Sequence, residues 1–519
     1  MSVANEVETG PIVEIDSGQL QGQSLDGVDS FKNIPFGADA GGANRFRPPQ
    51  PVTPWSGIRP AYEFGPVAPQ DPDRPDHLKG KSAVTYSEDC LNLNLWRPGM
   101  RPGDRAENLP VMVYIHGGGF SYGTANHVAH DGHVLAGRGA MVVVTINYRL
   151  GVLGLLSHAC LTDPETGYDG NWGFLDQIAA LEWVNRNIGQ FGGDKDNVTI
   201  VGLSAGGGSV GAHCLCPRSR PLFQRAVVQS SSPLPTPRAD HDAAAEVLLS
   251  RLGIDATAEA LRGVDGAAIQ AAQTSWMIKL QNGRTAPHAG RRSAALLAGP
   301  GHGGGIDGRP GPVGQLCPGR MHGLRHVHAP RCHSQDGRTA GPYPGPGRPG
   351  WRCHDPRLPP CTPGSGRGGG EVWDLWIALQ TDRLIRVPSL NFLADHAARG
   401  NNAWACVVTR ECDWVPAVPG DQHLGATHVI DMPLMFGTLH ATPELERLVG
   451  TAPGVDDLAI VVQDAYIAFV HTGSPATDAL SDWQPYDPAR RATMQLGPRL
   501  TSVDDPRGPE RQLMGEVLA

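Results

Sequence analysis

Short apolar runs that meet glycine shape the first half of the chain. PVMVYIHGGG at 110–119 is an unbroken apolar run ending in a glycine turn, and AMVVVTINYRL at 140–150 is a second run rich in β-branched residues. Both read as buried strands. The period then changes. In DQIAALEWVNRNIGQF, residues 176–191, the apolar positions Ile178, Leu181, Val184 and Ile188 recur at helical spacing. NVTIVGLS at 197–204 returns to a short buried strand. Strand, helix, strand in this order predicts a parallel sheet with right-handed crossovers, hence an α/β fold. Two later segments, 371–396 and 456–471, also carry helical spacing, the second through Leu458, Val461, Val462, Ala465 and Phe469.

Neither period survives between 281 and 370. Of these 90 residues 36 are Gly or Pro, none is Lys, Glu or Phe, and 12 Arg, 7 His and 4 Cys are present. No strand or helix of ordinary length fits. Two origins account for such a composition: a disordered insert, or a GC-rich coding sequence translated out of frame, which brings Gly, Pro, Arg, Ala, His and Cys together. Cys317, His322, His326, His328, Cys332 and His333 have residue types that suit zinc, but their spacing repeats no closed site and glycine and proline surround them. Neither a metal nor a cofactor is expected. Cys214 and Cys216 read as helix-end packing residues.

A chain of 519 residues, 40% of them apolar, can bury a large core. Its net charge of −9 and pI near 6.1 argue against partners that present phosphate backbones or anionic lipid, so no nucleic acid is expected. The start, MSVANEVETGPIVEIDSGQL, lacks a basic patch followed by an apolar run, which predicts a cytoplasmic protein. The longest apolar stretch, 141–156, is interrupted by Asn147 and Arg149 and is shorter than the roughly 20 residues of a membrane span. Ten cysteines without regular spacing make no disulfide framework.

Two glycine motifs carry chemistry. Gly202-Leu203-Ser204-Ala205-Gly206 follows the strand NVTIV and precedes GGSVGAHCL, a run able to start a helix. That context is the one a nucleophile elbow requires: a sharp strand-to-helix turn lifts the Ser204 oxygen above the sheet, and the helix start offers amides to negative charge. His116-Gly117-Gly118-Gly119-Phe120 ends an earlier strand and can aim consecutive amides at one oxygen, with no side chains in the way. The amides of Gly118, Gly119 and Ala205 are the candidate oxyanion hole. His116 is expected to orient this loop and not to transfer protons.

With these motifs the chain resembles the type-B carboxylesterases, a family that includes bacterial carboxylesterases and the cholinesterases. Glu88-Asp89-Cys90-Leu91-Asn92-Leu93-Asn94-Leu95 is similar to a second signature of that family. FKNIPFGADAGGANRFRPPQPVTPW is similar to its amino-terminal segment and DWQPYDPARRATM to its carboxy-terminal one. The likeness covers roughly 10–280 and 371–510. It implies one α/β-hydrolase domain over 1–519, a mostly parallel sheet with helices on both faces, and a small carboxylic ester as substrate.

Gly425-Ala426-Thr427-His428-Val429-Ile430-Asp431-Met432-Pro433 matches the family segment that bears the catalytic base, so the resemblance gives His428 that role. A histidine suits it, because its pKa allows it to take a proton from serine and return it to an alcohol near neutrality. Two departures stand out. The residue before the nucleophile, commonly Glu in the family, is Leu203. The family's third member is a Glu about midway between Ser and His, yet no Glu occurs between Glu259 and Glu371. Asp307, Asp336 and Asp355 are the only acids within 281–370 and none has a matching context, so the triad acid is left unassigned. An ester hydrolase acting through an acyl-enzyme is expected; an impaired, cholinesterase-like binding protein or an inactive product of a damaged reading frame is the alternative.

Overall fold

The computed structural model describes residues 8–72, 84–99, 108–233, 235–281, 381–412 and 426–518. Except for Gln281, the Gly/Pro/Arg-rich stretch lies outside them, and with it Asp307, Asp336, Asp355 and the Cys/His group at 317–333. The first ten residues of the helix expected at 371–396 lie outside as well.

Twelve strands are described: β1 Glu8–Ile15, β2 Gly18–Leu25, β3 Val28–Pro35, β4 Ile58–Pro60, β5 Asn92–Pro98, β6 Leu109–Ile115, β7 Val142–Ile146, β8 Gly193–Leu203, β9 Arg225–Gln229, β10 Ala405–Val408, β11 Ala492–Leu496 and β12 Thr501–Asp504. Nine form a mixed sheet in the order β1-β2-β3-β5-β7-β6-β8-β9, with β4 paired to β2. Its amino-terminal half is antiparallel through β5 and β7, whereas β7, β6, β8 and β9 are mutually parallel. The parallel half is the part legible as strand, helix, strand.

The unbroken apolar runs have a physical cause. Val111, Val113 and Ile115 of β6 point into one core, together with Val142, Val144 and Ile146 of β7 and Val198 and Ile200 of β8. The alternate residues Met112, Tyr114, Val143, Val201 and Leu203 point into a second core on the other face. A sheet covered on both faces needs no polar alternation. Helix Trp172–Asn187 covers the first face through Leu175, Ile178 and Leu181. The long helix Val455–Thr472 covers the second through Leu458, Val462 and Ala465. The first of these begins and ends about four residues before the expected 176–191, and a 3-10 turn, Ile188–Phe191, closes it at Gly192.

Strands β10, β11 and β12 form a separate sheet, with β10 parallel to β11. Among the described residues β9 is paired on one side only, by β8, and β10 on one side only, by β11. Both cross the same helix: Arg225 of β9 donates to the Val470 carbonyl at 3.1 Å and the Gln229 amide to the Tyr466 hydroxyl at 2.9 Å, while Trp404, beside β10, meets Phe469 edge-on at 5.9 Å. In β10, Val407 stays 39% exposed and Cys406 is exposed too. Among the described residues two strand edges on this helix are thus unpaired, and an unpaired edge leaves amide and carbonyl groups without ladder partners.

Candidate active site

Strand β8 stops at Leu203 because Ser204 leaves the extended region. Its φ of 58° and ψ of −120° are a conformation that L-residues with a Cβ seldom adopt. Its amide still donates to the Gln229 carbonyl of β9 at 2.9 Å, and its own carbonyl accepts from Gly208 in the helix Ala205–Leu215. The strained residue is therefore fixed from both sides. Gly206 is required by contact: a Cβ there would strike the Ile115 carbonyl at the end of β6. Leu203, at the position where the family commonly has Glu, is 3% exposed and belongs to the second core.

The second glycine loop lies directly against this turn. A Cβ on Gly117 would sit 3.1 Å from the Cβ of Ser204 and 2.7 Å from the Leu203 carbonyl oxygen. Gly118 and Gly119 have φ of 117° and 58°, which glycine alone adopts without strain. Among the described residues the N–H groups of Gly118 and Gly119 donate to no acceptor. Ala205 opens the helix, where the first amides have no intrahelical acceptor.

His116 is buried behind the loop, its ring stacked on Tyr148 at 4.4 Å. Its Nδ1 donates to the Gly117 carbonyl at 2.8 Å, and the Tyr148 hydroxyl donates to the His116 carbonyl at 2.7 Å. Desolvation pushes its pKa down to about 4, so near neutrality it is an uncharged brace for the loop. Gln70 clamps the far end, accepting from the Gly123 amide at 2.8 Å and donating to its carbonyl at 3.0 Å.

His428 lies in a turn just before the helix Asp431–Phe436. More than a third of its surface reaches solvent, yet the protein around it lowers its pKa by desolvation, which favours the neutral base. Hydrogen bonds Ile430 N–H to Thr427 C=O and Met432 N–H to Val429 C=O tie the turn to the helix. Asp431, three residues beyond His428, accepts from the Gln229 side chain at 3.0 Å. The His428 segment is thus anchored to the same Gln229 whose carbonyl holds Ser204. Among the described residues no hydrogen bond joins Ser204 to His428, and His428 has no carboxylate partner.

Sequence reasoning missed Gln229, Asp431 and Tyr466, which connect elements 202 and 237 positions apart. It also missed what the Glu88 signature does. Glu88 chelates Arg45 at 2.8 Å and 2.5 Å, and the same guanidinium donates to the Arg262 and Val264 carbonyls. That motif is a structural clamp. Cys214 and Cys216 are free thiols at the end of the helix that Ser204 precedes, in keeping with packing. The described residues hold no group of three metal-ligating side chains, and none of their helices is long and apolar enough to cross a membrane.

Comparison with known proteins agrees with this geometry. A sequence model of the carboxylesterase family matches residues 9–285 and 367–512, so the interval it passes over falls within the Gly/Pro/Arg-rich stretch. The chain is 30% identical over 525 residues to a para-nitrobenzyl esterase of Bacillus subtilis (strain 168), covering 97% of this chain and 98% of that protein. It is 43% identical over 239 residues to the pyrethroid hydrolase Ces2e of Rattus norvegicus, a match spanning 44% of this chain and 41% of the relative. Among solved structures, a PNB esterase superposes with a TM-score of 0.74 at 27% identity, over 98% of this chain and 99% of that one. The Geobacillus stearothermophilus carboxylesterase EST55 does so with 0.70 at 28%, over 96% and 99%. The chain belongs to the carboxylesterase family and has its α/β-hydrolase fold.

Proposed function

We propose that the protein hydrolyses small carboxylic esters through a covalent acyl-enzyme on Ser204. His428 takes the Ser204 proton as the oxygen attacks the carbonyl carbon, and the developing oxyanion is received by the N–H groups of Gly118, Gly119 and Ala205. The C–O bond to the alcohol then breaks and His428 returns the proton to the leaving oxygen. Water, deprotonated by His428 in its turn, cleaves the acyl ester and regenerates Ser204. The observation that carries this reading is Ser204 itself: a serine with φ 58° at a strand-to-helix turn, against a glycine loop with two amides that find no acceptor among the described residues. Family membership supports ester hydrolysis, and the solvent-reaching His428 turn, anchored through Asp431 and Gln229 to the strand end that holds Ser204, supports the base.

A fluorophosphonate titration tests it. Esterase activity should fall in step with incorporation of one label per chain, and a short-chain ester should slow labelling by competition. Labelling without loss of activity, or loss without labelling, would remove the serine mechanism.

A second reading, a catalytically impaired family member, is favoured by a separate observation. Among the described residues His428 lacks a carboxylate to fix its tautomer, and the sheet is interrupted between β9 and β10. The two readings differ in rate and not in chemistry.

A further inference from the structure

Among the described residues, Asp431 Oδ1, Gln229 Oε1 and the Tyr114 hydroxyl are enclosed polar atoms without hydrogen-bond partners. The mechanism above uses none of them. The Gln229 amide nitrogen donates to Asp431 Oδ2 at 3.0 Å and to the Tyr466 oxygen at 2.9 Å, and the Met435 sulfur lies 4.0 Å away. The main-chain carbonyl of the same Gln229 holds the Ser204 amide. Asp431 begins the helix that follows the His428 turn. One side-chain amide therefore joins the nucleophile's backbone to the base's backbone.

We infer that Asp431 is a positioning residue for ester cleavage, holding the His428 turn to the Ser204 elbow through Gln229, and that this hold changes when its carboxyl gains a proton. The inference rests on the ester-hydrolysing reading of the site. The chemistry follows from donor and acceptor counts. An ionised Asp431 only accepts, so Gln229 must present its NH₂, as observed. A protonated Asp431 becomes a donor, and the Gln229 amide oxygen and the Tyr114 hydroxyl are candidate acceptors. A proton on Oδ2 requires the amide to turn over, with its oxygen receiving Asp431 and the Tyr466 hydroxyl, whereas a proton on Oδ1 leaves Oδ2 an uncharged, weaker acceptor for the Gln229 NH₂; either way the hold changes.

Proton gain falls in a usable range. Desolvation raises the Asp431 carboxyl to about 6, against the opposing pull of its Gln229 hydrogen bond and the amides of Asp431 and Met432. The titratable groups that act on it are Tyr114 from β6, Tyr466 from the long helix and Cys406 from β10. Burial raises both tyrosines far above their ordinary value, so both stay neutral while Asp431 titrates. The sign is that of a raised acid. Stability contributed by the protonated form is fully present below 3.8 and is lost as pH rises through about 6.

Fluorophosphonate labelling of the full chain, followed against pH, provides the test. His428 and Asp431 both protonate on the acid side, so the logarithm of the wild-type rate should fall with a limiting slope of about two per pH unit. Asp431→Asn should reduce that slope to about one, and Asp431→Glu should restore it. In parallel, the unfolding midpoint of the wild type should fall relative to Asp431→Asn as pH rises from about 4 to about 7, which reads the ionisation without catalysis. A slope of one in the wild type, a slope of two kept by Asp431→Asn, or a midpoint difference independent of pH would each overturn the inference while leaving the ester-hydrolysing reading intact. Absence of labelling at every pH would instead strike that reading, and the inference with it.

Discussion

Replacing His428 with alanine is expected to lower the rate at which an ester acylates Ser204 by about 10³-fold or more, and Ser204→Ala should lower turnover at least as far. Ser204 sits half-buried at a strained strand-to-helix turn, and a neutral hydroxyl is a poor nucleophile unless a base removes its proton as it attacks. His428 is the base that the family resemblance offers: its segment is tied through Asp431 and Gln229 to the strand end that holds Ser204, and desolvation favours its neutral imidazole. Residues that act as one unit give non-additive losses, so Ser204→Ala/His428→Ala should be hardly slower than Ser204→Ala alone. Hydrolysis of para-nitrophenyl acetate by variants whose unfolding midpoints match the wild type checks this. An unchanged rate in His428→Ala would move the base role to another residue.

The coding DNA across residues 275–375, read in a neighbouring frame, is expected to encode a strand ending in an acidic motif about midway between Ser204 and His428. Composition and position both point there. The Gly/Pro/Arg-rich stretch begins and ends abruptly, and the family match stops at 285 and resumes at 367. The fold adds an independent reason. Among the described residues β9 and β10 each have an unpaired edge and both cross the long helix, where one more strand would join the two sheets. A chain with that frame restored should hydrolyse esters up to about 10⁴-fold faster than the chain as written, the scale of loss when the acid that orients the imidazole is removed. Gene sequencing, intact mass and paired rate measurements decide it. A protein of the written mass with a rate equal to that of the restored chain would contradict the prediction.

What the sequence made legible was local. The elbow and the HGGG loop each need a few adjacent residues, with glycine where a side chain would collide, and both occur where the pattern of residues placed them. The base role of His428 was read from a nine-residue segment and not from its surroundings. The parallel half of the sheet could be read because strands covered on both faces are apolar throughout, as β6 and β7 are. The antiparallel half was less visible: β2, GQLQGQSL, buries only Leu20 and Gly22 among polar neighbours, and β3, VDSFKNIP, buries Asp29 beside Val28, Phe31 and Ile34. The link through Gln229, Asp431 and Tyr466 left no pattern at all, since its members meet only after β9 and the long helix pack. Ser204 ends β8 one residue before the expected boundary because its backbone turns where its side chain must be presented.

The central claim is that Ser204 carries the acyl group, and acid-quenched peptide mapping after reaction with para-nitrophenyl acetate tests it most directly. The account predicts an acetyl group on the peptide that contains Ser204, present in the wild type, absent in Ser204→Ala, and formed far more slowly in His428→Ala. An acetyl group on a different serine, or none on a folded protein that still releases nitrophenol, would contradict it.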